Sequence, residues 1–159
     1  MQTETLSPRS ADWRAAMIAG VIAGLVFLLV NMALTGQLLG NAQLPLQLAA
    51  ALLLGPEVMP PAVGLDGGVF MTGFGVHLVL AVAFTCLIAF CLHRWGIWVG
   101  IFGGALFGLA LYSINYYFAA DFIAGFAALR SWLMAASHVI FGAVAGGLYE
   151  FLERDHDHR

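Results

Sequence analysis

The sequence predicts an all-α polytopic membrane protein: four transmembrane helices in a bundle, plus a short interfacial helix in the first outer loop. Three observations predict it. The 159 residues are 62% hydrophobic and only 9% charged, whereas a soluble domain carries about 25% charged residues. No charged residue lies between Arg14 and Glu57, or between Asp66 and Arg94. Such gaps hold the ~20 apolar residues that a helix needs to cross hydrocarbon, where backbone groups must be paired within the segment.

The elements follow in order. Residues 1–12 are polar and contain no short apolar stretch ending in a cleavage site, so the first span is expected to be retained. The transmembrane domain covers 13–152, with spans at about 13–39, 68–92, 96–118 and 131–152. Between the first two spans, residues 44–54 are apolar but too short to cross. Pro45 opens this insert, and Gly55-Pro56 and Pro60-Pro61 close it. It is expected to lie on the outer face or dip partly in. His93-Arg94-Trp95 forms a tight turn, 119–130 a second outer loop, and 153–159 a polar tail.

Arginine placement sets the topology, since cytoplasmic segments carry the excess of basic residues. Arg9, Arg14, Arg94, Arg154 and Arg159 fall on one side, and Arg130 alone on the other. Both termini are therefore expected in the cytoplasm, with Glu57, Asp66 and Asp121 outside. Trp13, Trp95, Trp132, Tyr116, Tyr117 and Tyr149 fall near span ends, where amphipathic rings settle. Glu150, Glu153 and Arg154 read as interfacial charges, and Asp155-His156-Asp157-His158 as a frayed end. Cys86 and Cys91 point apart on one helix, roughly 140° around it, and read as two buried free thiols.

Glycines mark where the helices touch. Gly96, Gly100, Gly104 and Gly108 recur at four-residue steps, with Gly20 and Gly24 in span one and Gly142 and Gly146 in span four. Small residues at this spacing let backbones approach closely in lipid. They lie mostly in the cytoplasmic half, so the bundle is expected to be tight there and wider outside.

Following those faces outward leads to polar residues. Asn31 is seven after Gly24, Asn115 seven after Gly108, and His138 four before Gly142. His77 is four after Gly73 and four before Ala81. Steps of four and seven stay on one helix face. Asn31, His77 and His138 lie roughly 10–14 Å below the outer ends of their spans. One outward-facing polar layer is expected, because polar groups within spans face the interior and mark functional sites.

Several chemistries fit that layer. His77 and His138 on different helices could ligate one transition metal or a haem b iron. Met134 could add a soft ligand, and Tyr112 or an asparagine could orient an imidazole. The pair could equally make interhelical hydrogen bonds or line a small-molecule site. No CxxCH, HExxH or CxxC motif sharpens the metal reading. No acidic or basic residue lies deep in a span, which argues against an ion-coupled pump, and no internal repeat suggests a transporter. Ser137 precedes His138, but adjacent helix residues do not face each other. No basic tract points to nucleic acid.

The segments Asn115-Tyr116-Tyr117-Phe118, Arg130-Ser131-Trp132 and His138-Val139-Ile140-Phe141-Gly142, with Val76-His77-Leu78 in span two, resemble a pattern in small four-span bacterial inner-membrane proteins. The resemblance implies an inner-membrane location and the four-span layout, and assigns no activity. The sequence thus leads to a non-enzymatic inner-membrane protein, an accessory or interaction subunit with a polar pocket. It would sit in the lipid bilayer, in a larger membrane complex or as a homo-oligomer. The alternatives are a haem b or metal-binding subunit, and a small channel or carrier.

Overall fold

The structure, a computed structural model, describes residues 11–59, 66–118, 127 and 129–157, with side chains described as far as 153. Five α-helices account for most of it: α1 Trp13–Leu39, α2 Leu44–Leu54, α3 Gly67–Leu92, α4 Ile97–Ser113 and α5 Trp132–Asp157. A single 3-10 turn, Pro56–Val58, follows α2, and α4 runs on into a π-helical turn, Ile114–Phe118. No strand occurs among the described residues. Four helices are long and apolar enough to cross a membrane: Trp13–Leu39, Gly67–Leu92, Ile97–Phe118 and Trp132–Glu153. Arg9, Asp121 and Pro60-Pro61 lie outside the described residues, as do the side chains of Arg154, His156 and His158.

Local chemistry explains the helix ends. Asp12 Oδ1 accepts the Arg14 and Ala15 backbone N–H groups at 2.9 and 3.1 Å, capping α1. Gly40 ends α1 in the left-handed region, at φ 67°, where a Cβ would be strained. Asp66 Oδ1 accepts the Val69 N–H at 2.8 Å and caps α3. The Arg130 side chain donates from Nε to the Tyr116 carbonyl and lies 4.9 Å over the Tyr117 ring. It so satisfies a carbonyl that the π turn leaves open.

The burial pattern is that of a lipid-solvated bundle. On α1 the small residues Ala15, Ala16, Ala19, Gly20, Ala23 and Gly24 are buried, while Met17, Ile18, Ile22 and Leu29 are exposed. Large side chains face outward because lipid is as apolar as they are; small ones face inward because they allow close packing. α4 packs most extensively on α5, α5 on α1, and α1 on α3. Although consecutive, α3 and α4 touch little.

The α4–α5 contact is made of backbone. A Cβ on Gly100 would lie 2.6 Å from the Gly146 carbonyl oxygen, and one on Gly104 2.9 Å from the Gly142 carbonyl carbon. A Cβ on Gly108 would lie 2.7 Å from the His138 carbonyl carbon. On the α1–α3 side, a Cβ on Gly20 would lie 2.8 Å from Val82 Cα, and one on Gly24 2.7 Å from Ala81 Cβ. Each pair would have to part if a side chain were added.

Several sequence readings need correction. Gly96 is not a packing glycine: it precedes α4 at φ 88°, and nothing lies within 4 Å of where its Cβ would be. The stripe counted by fours therefore starts one step outside the helix. Tyr149 and Tyr116 are 0% and 5% exposed, so their rings pack against protein rather than lipid; Tyr149 sits among Ala15, Ala16, Ala19 and Ala89. Cys91 is exposed and Cys86 half-buried, both as free thiols. The expected tail begins as a continuation of α5 to Asp157.

Glu150 also departs from its reading as an interfacial charge. It is 1% exposed and accepts the Gly96 backbone N–H at 3.0 Å, while Glu153 accepts that of Arg94 at 3.1 Å. The two carboxylates hold the α3–α4 turn, where Arg94 and Gly96 both have positive φ, against the positive end of α4.

Candidate functional site

α2 is more than an interfacial helix. Leu44, Leu46, Gln47, Leu48 and Ala49–Ala51 are buried, because α2 lies over the bundle against α3 and α1. Gly73 permits this: a Cβ there would lie 3.2 Å from Leu46 Cα. Beneath α2 lies a cavity of about 120 Å³. Asn31 on α1, His77 on α3, Asn115 on the π turn and His138 on α5 all line it. Four side chains from four spans thus meet at one void. Gly108 brings α4 onto the backbone of His138, one of the four.

The residue that sequence reasoning missed is Phe27. Its ring stacks on His77 with centroids 5.8 Å apart and meets His138 edge-on at 4.7 Å. The Phe27 ring thus contacts both imidazoles. Phenylalanine is ordinary in a membrane span, so only its place one turn before Asn31 could have pointed to it. Tyr112 and Tyr116 complete the aromatic surround of His138, at 5.7 and 5.4 Å, and tilt against each other at 5.0 Å.

Each imidazole is oriented by a backbone carbonyl. His77 Nε2 is 2.9 Å from the Gly24 carbonyl oxygen, across the α1–α3 interface. His138 Nδ1 is 2.8 Å from the Met134 carbonyl oxygen, one turn earlier on its own helix. A carbonyl only accepts, so those nitrogens carry the hydrogens. In the neutral rings His77 Nδ1 and His138 Nε2 are then lone-pair acceptors. Asn115 Nδ2 stands 3.5 Å from His138 Nε2 and faces that lone pair. The π turn, a feature frequent at functional sites, carries Asn115 there.

Met134 is fully buried and serves through its carbonyl; it does not line the cavity. Tyr112 packs on His138 without lining the cavity either. Asn31 donates from Nδ2 to the Phe27 carbonyl at 2.8 Å, and Thr35 donates to the Asn31 carbonyl at 2.9 Å. These bonds within α1 leave the two side chains buried along the cavity wall.

Ser137 does approach its neighbour, with Oγ 3.4 Å from His138 Nδ1. The pair is not a nucleophile with its base. Ser137 donates to the same Met134 carbonyl at 2.8 Å, and Nδ1 already carries a hydrogen. A base would need a lone pair on that atom.

A shared metal fits poorly. No group of three or more His, Cys, Asp or Glu side chains converges among the described residues, and structural zinc takes four ligands. Haem b needs only two axial histidines. The void of about 120 Å³ is nonetheless far below the roughly 300–1,000 Å³ of pockets for drug-sized ligands, and a porphyrin is larger than most of those. No family model, curated protein or solved structure matches the chain.

Proposed function

We propose that this chain is a non-enzymatic inner-membrane component, an accessory subunit that holds a small neutral molecule in an outward-facing pocket. The observation that carries the reading is the convergence of Asn31, His77, Asn115 and His138 on one cavity within an otherwise apolar bundle. Polar side chains inside a membrane bundle are costly and mark sites. Here both imidazoles are held rigidly by carbonyls and by the Phe27 ring. A convergent polar cluster in an apolar cavity is the usual form of a small-molecule site. The orientation rests on arginine: Arg14 and Arg94 mark the end of the bundle opposite α2 as cytoplasmic.

The test is native mass spectrometry of the chain extracted in mild detergent from the membranes that produce it. A retained small molecule in the wild type, absent from Ala49→Phe, which fills the cavity from α2, supports the reading. Wild-type and Ala49→Phe proteins that are equally stable and equally free of bound molecules would overturn it.

A further inference from the structure

We infer that the cavity is loaded from the bilayer, through the seam between α3 and α4, with a neutral lipid-soluble molecule that donates a hydroxyl hydrogen. This rests on the reading of the cavity as a binding site.

The route follows from where the walls are closed. On the α1 and α5 sides most of the lining is closed: Asn31, Thr35, His138 and Phe141 are buried and Phe27 is half-buried. α2 closes the end above with buried leucines and alanines. The two most exposed lining side chains are Leu52 on α2 and Leu80 on α3, at 45% and 38%. Both are apolar, and Leu80 lies within a membrane-spanning helix. α3 and α4 touch little along this side. The same seam holds a second void of about 10 Å³ between Phe84 and Ile88 of α3 and Phe107 and Leu111 of α4. The loose side of the bundle therefore has an apolar rim within the membrane span.

The chemistry of the ligand follows from the tautomers. Both imidazole hydrogens are engaged by the Gly24 and Met134 carbonyls. His138 Nε2 faces the Asn115 amide at 3.5 Å, which leaves His77 Nδ1 as the imidazole acceptor for a ligand. No carboxylate lines the cavity among the described residues, so an ammonium would remain unpaired there, which is costly in apolar surroundings. A neutral donor, an alcohol or phenol on a hydrocarbon body, offers its one hydroxyl hydrogen to the His77 acceptor and crosses the rim.

The experiment uses the full chain in lipid nanodiscs with 1-decanol, its methyl ether 1-methoxydecane, and glycerol. The readout is the ligand-induced rise in unfolding temperature, which reports affinity by mass action. The expected result is saturable stabilisation by 1-decanol and at least about tenfold weaker binding of the ether, which leaves the His77 acceptor unpaired. Leu80→Trp, which narrows the seam, is expected to slow decanol association, followed as the time dependence of the stabilisation after mixing; an unchanged rate would overturn the seam as the route. Equal affinity for alcohol and ether would overturn the donor requirement. Binding of glycerol but not decanol would overturn the bilayer route and leave the binding reading intact. If neither binds and the extracted protein carries no molecule, the underlying binding reading fails as well.

Discussion

The imidazole of His77 reaches across from α3 and places its Nε2 2.9 Å from the backbone carbonyl oxygen of Gly24 on α1. The contact depends on a missing side chain. A Cβ on Gly24 would lie 2.7 Å from Ala81 Cβ and 4.0 Å from His77 Nε2. The glycine that lets α1 and α3 meet also exposes the carbonyl that fixes the tautomer of a site residue. Packing and site chemistry share one position.

Gly24→Leu should therefore do more than disturb packing. Forcing side-chain volume into a filled contact costs typically 1–3 kcal/mol, and the hydrogen bond is lost with it. His77→Phe keeps the volume and removes only that bond, so its cost should fall near the ~0.6 kcal/mol average for interhelical bonds in membranes. Unfolding in mixed detergent micelles, comparing both variants with wild type, measures the difference.

The backbone contact between α4 and α5 makes a sharper comparison. Gly104→Ala should destabilise by about 1–3 kcal/mol, because its methyl meets the Gly142 carbonyl. Gly75→Ala, where nothing lies within 4 Å of the new Cβ, should be neutral or stabilising by up to ~1 kcal/mol through helix propensity. The same unfolding assay reports both. Equal costs would show that the glycines are composition rather than contact.

Glu150 offers a test of the turn at the opposite end. Glu150→Gln keeps an oxygen to accept the Gly96 N–H and should be tolerated. Glu150→Leu leaves that part-buried donor without its carboxylate and should cost about 1 kcal/mol. Amide hydrogen exchange at Gly96 measures it, with exchange accelerated in the leucine variant and near wild type in the glutamine variant.

The tautomers can be read directly. In ¹⁵N spectra of histidine-labelled protein, His77 should show a protonated Nε2 and His138 a protonated Nδ1, since each faces a carbonyl. The same tautomer at both positions would contradict the hydrogen-bond assignment and the acceptor character of the cavity.

The spans were legible because charge is excluded from hydrocarbon: the gap from Arg14 to Glu57 alone leaves room for a helix long enough to cross. The polar faces were legible because steps of four and seven keep Asn31, Asn115 and His138 in register with glycines. Phe27 was not, since a phenylalanine in an apolar span emits no signal until its neighbours are known. Gly96 was misread because a four-residue count does not reveal where the helix begins. Glu150 was misread because its distance from the span end says nothing of the α4 N-terminus beside it. The docking of α2 was hidden because a helix apolar but for Gln47 shows no face, and its burial is decided by Gly73 on another element.

The central claim is that His77 and His138 act on one bound molecule. Its most direct measurement is a titration of ¹⁵N-histidine-labelled protein in nanodiscs with 1-decanol, following the unprotonated nitrogens, His77 Nδ1 and His138 Nε2. The account predicts that both resonances shift and saturate along a single curve, while His93, which does not line the cavity, stays in place. Resonances that move independently, or that stay at their ligand-free positions throughout, would contradict it.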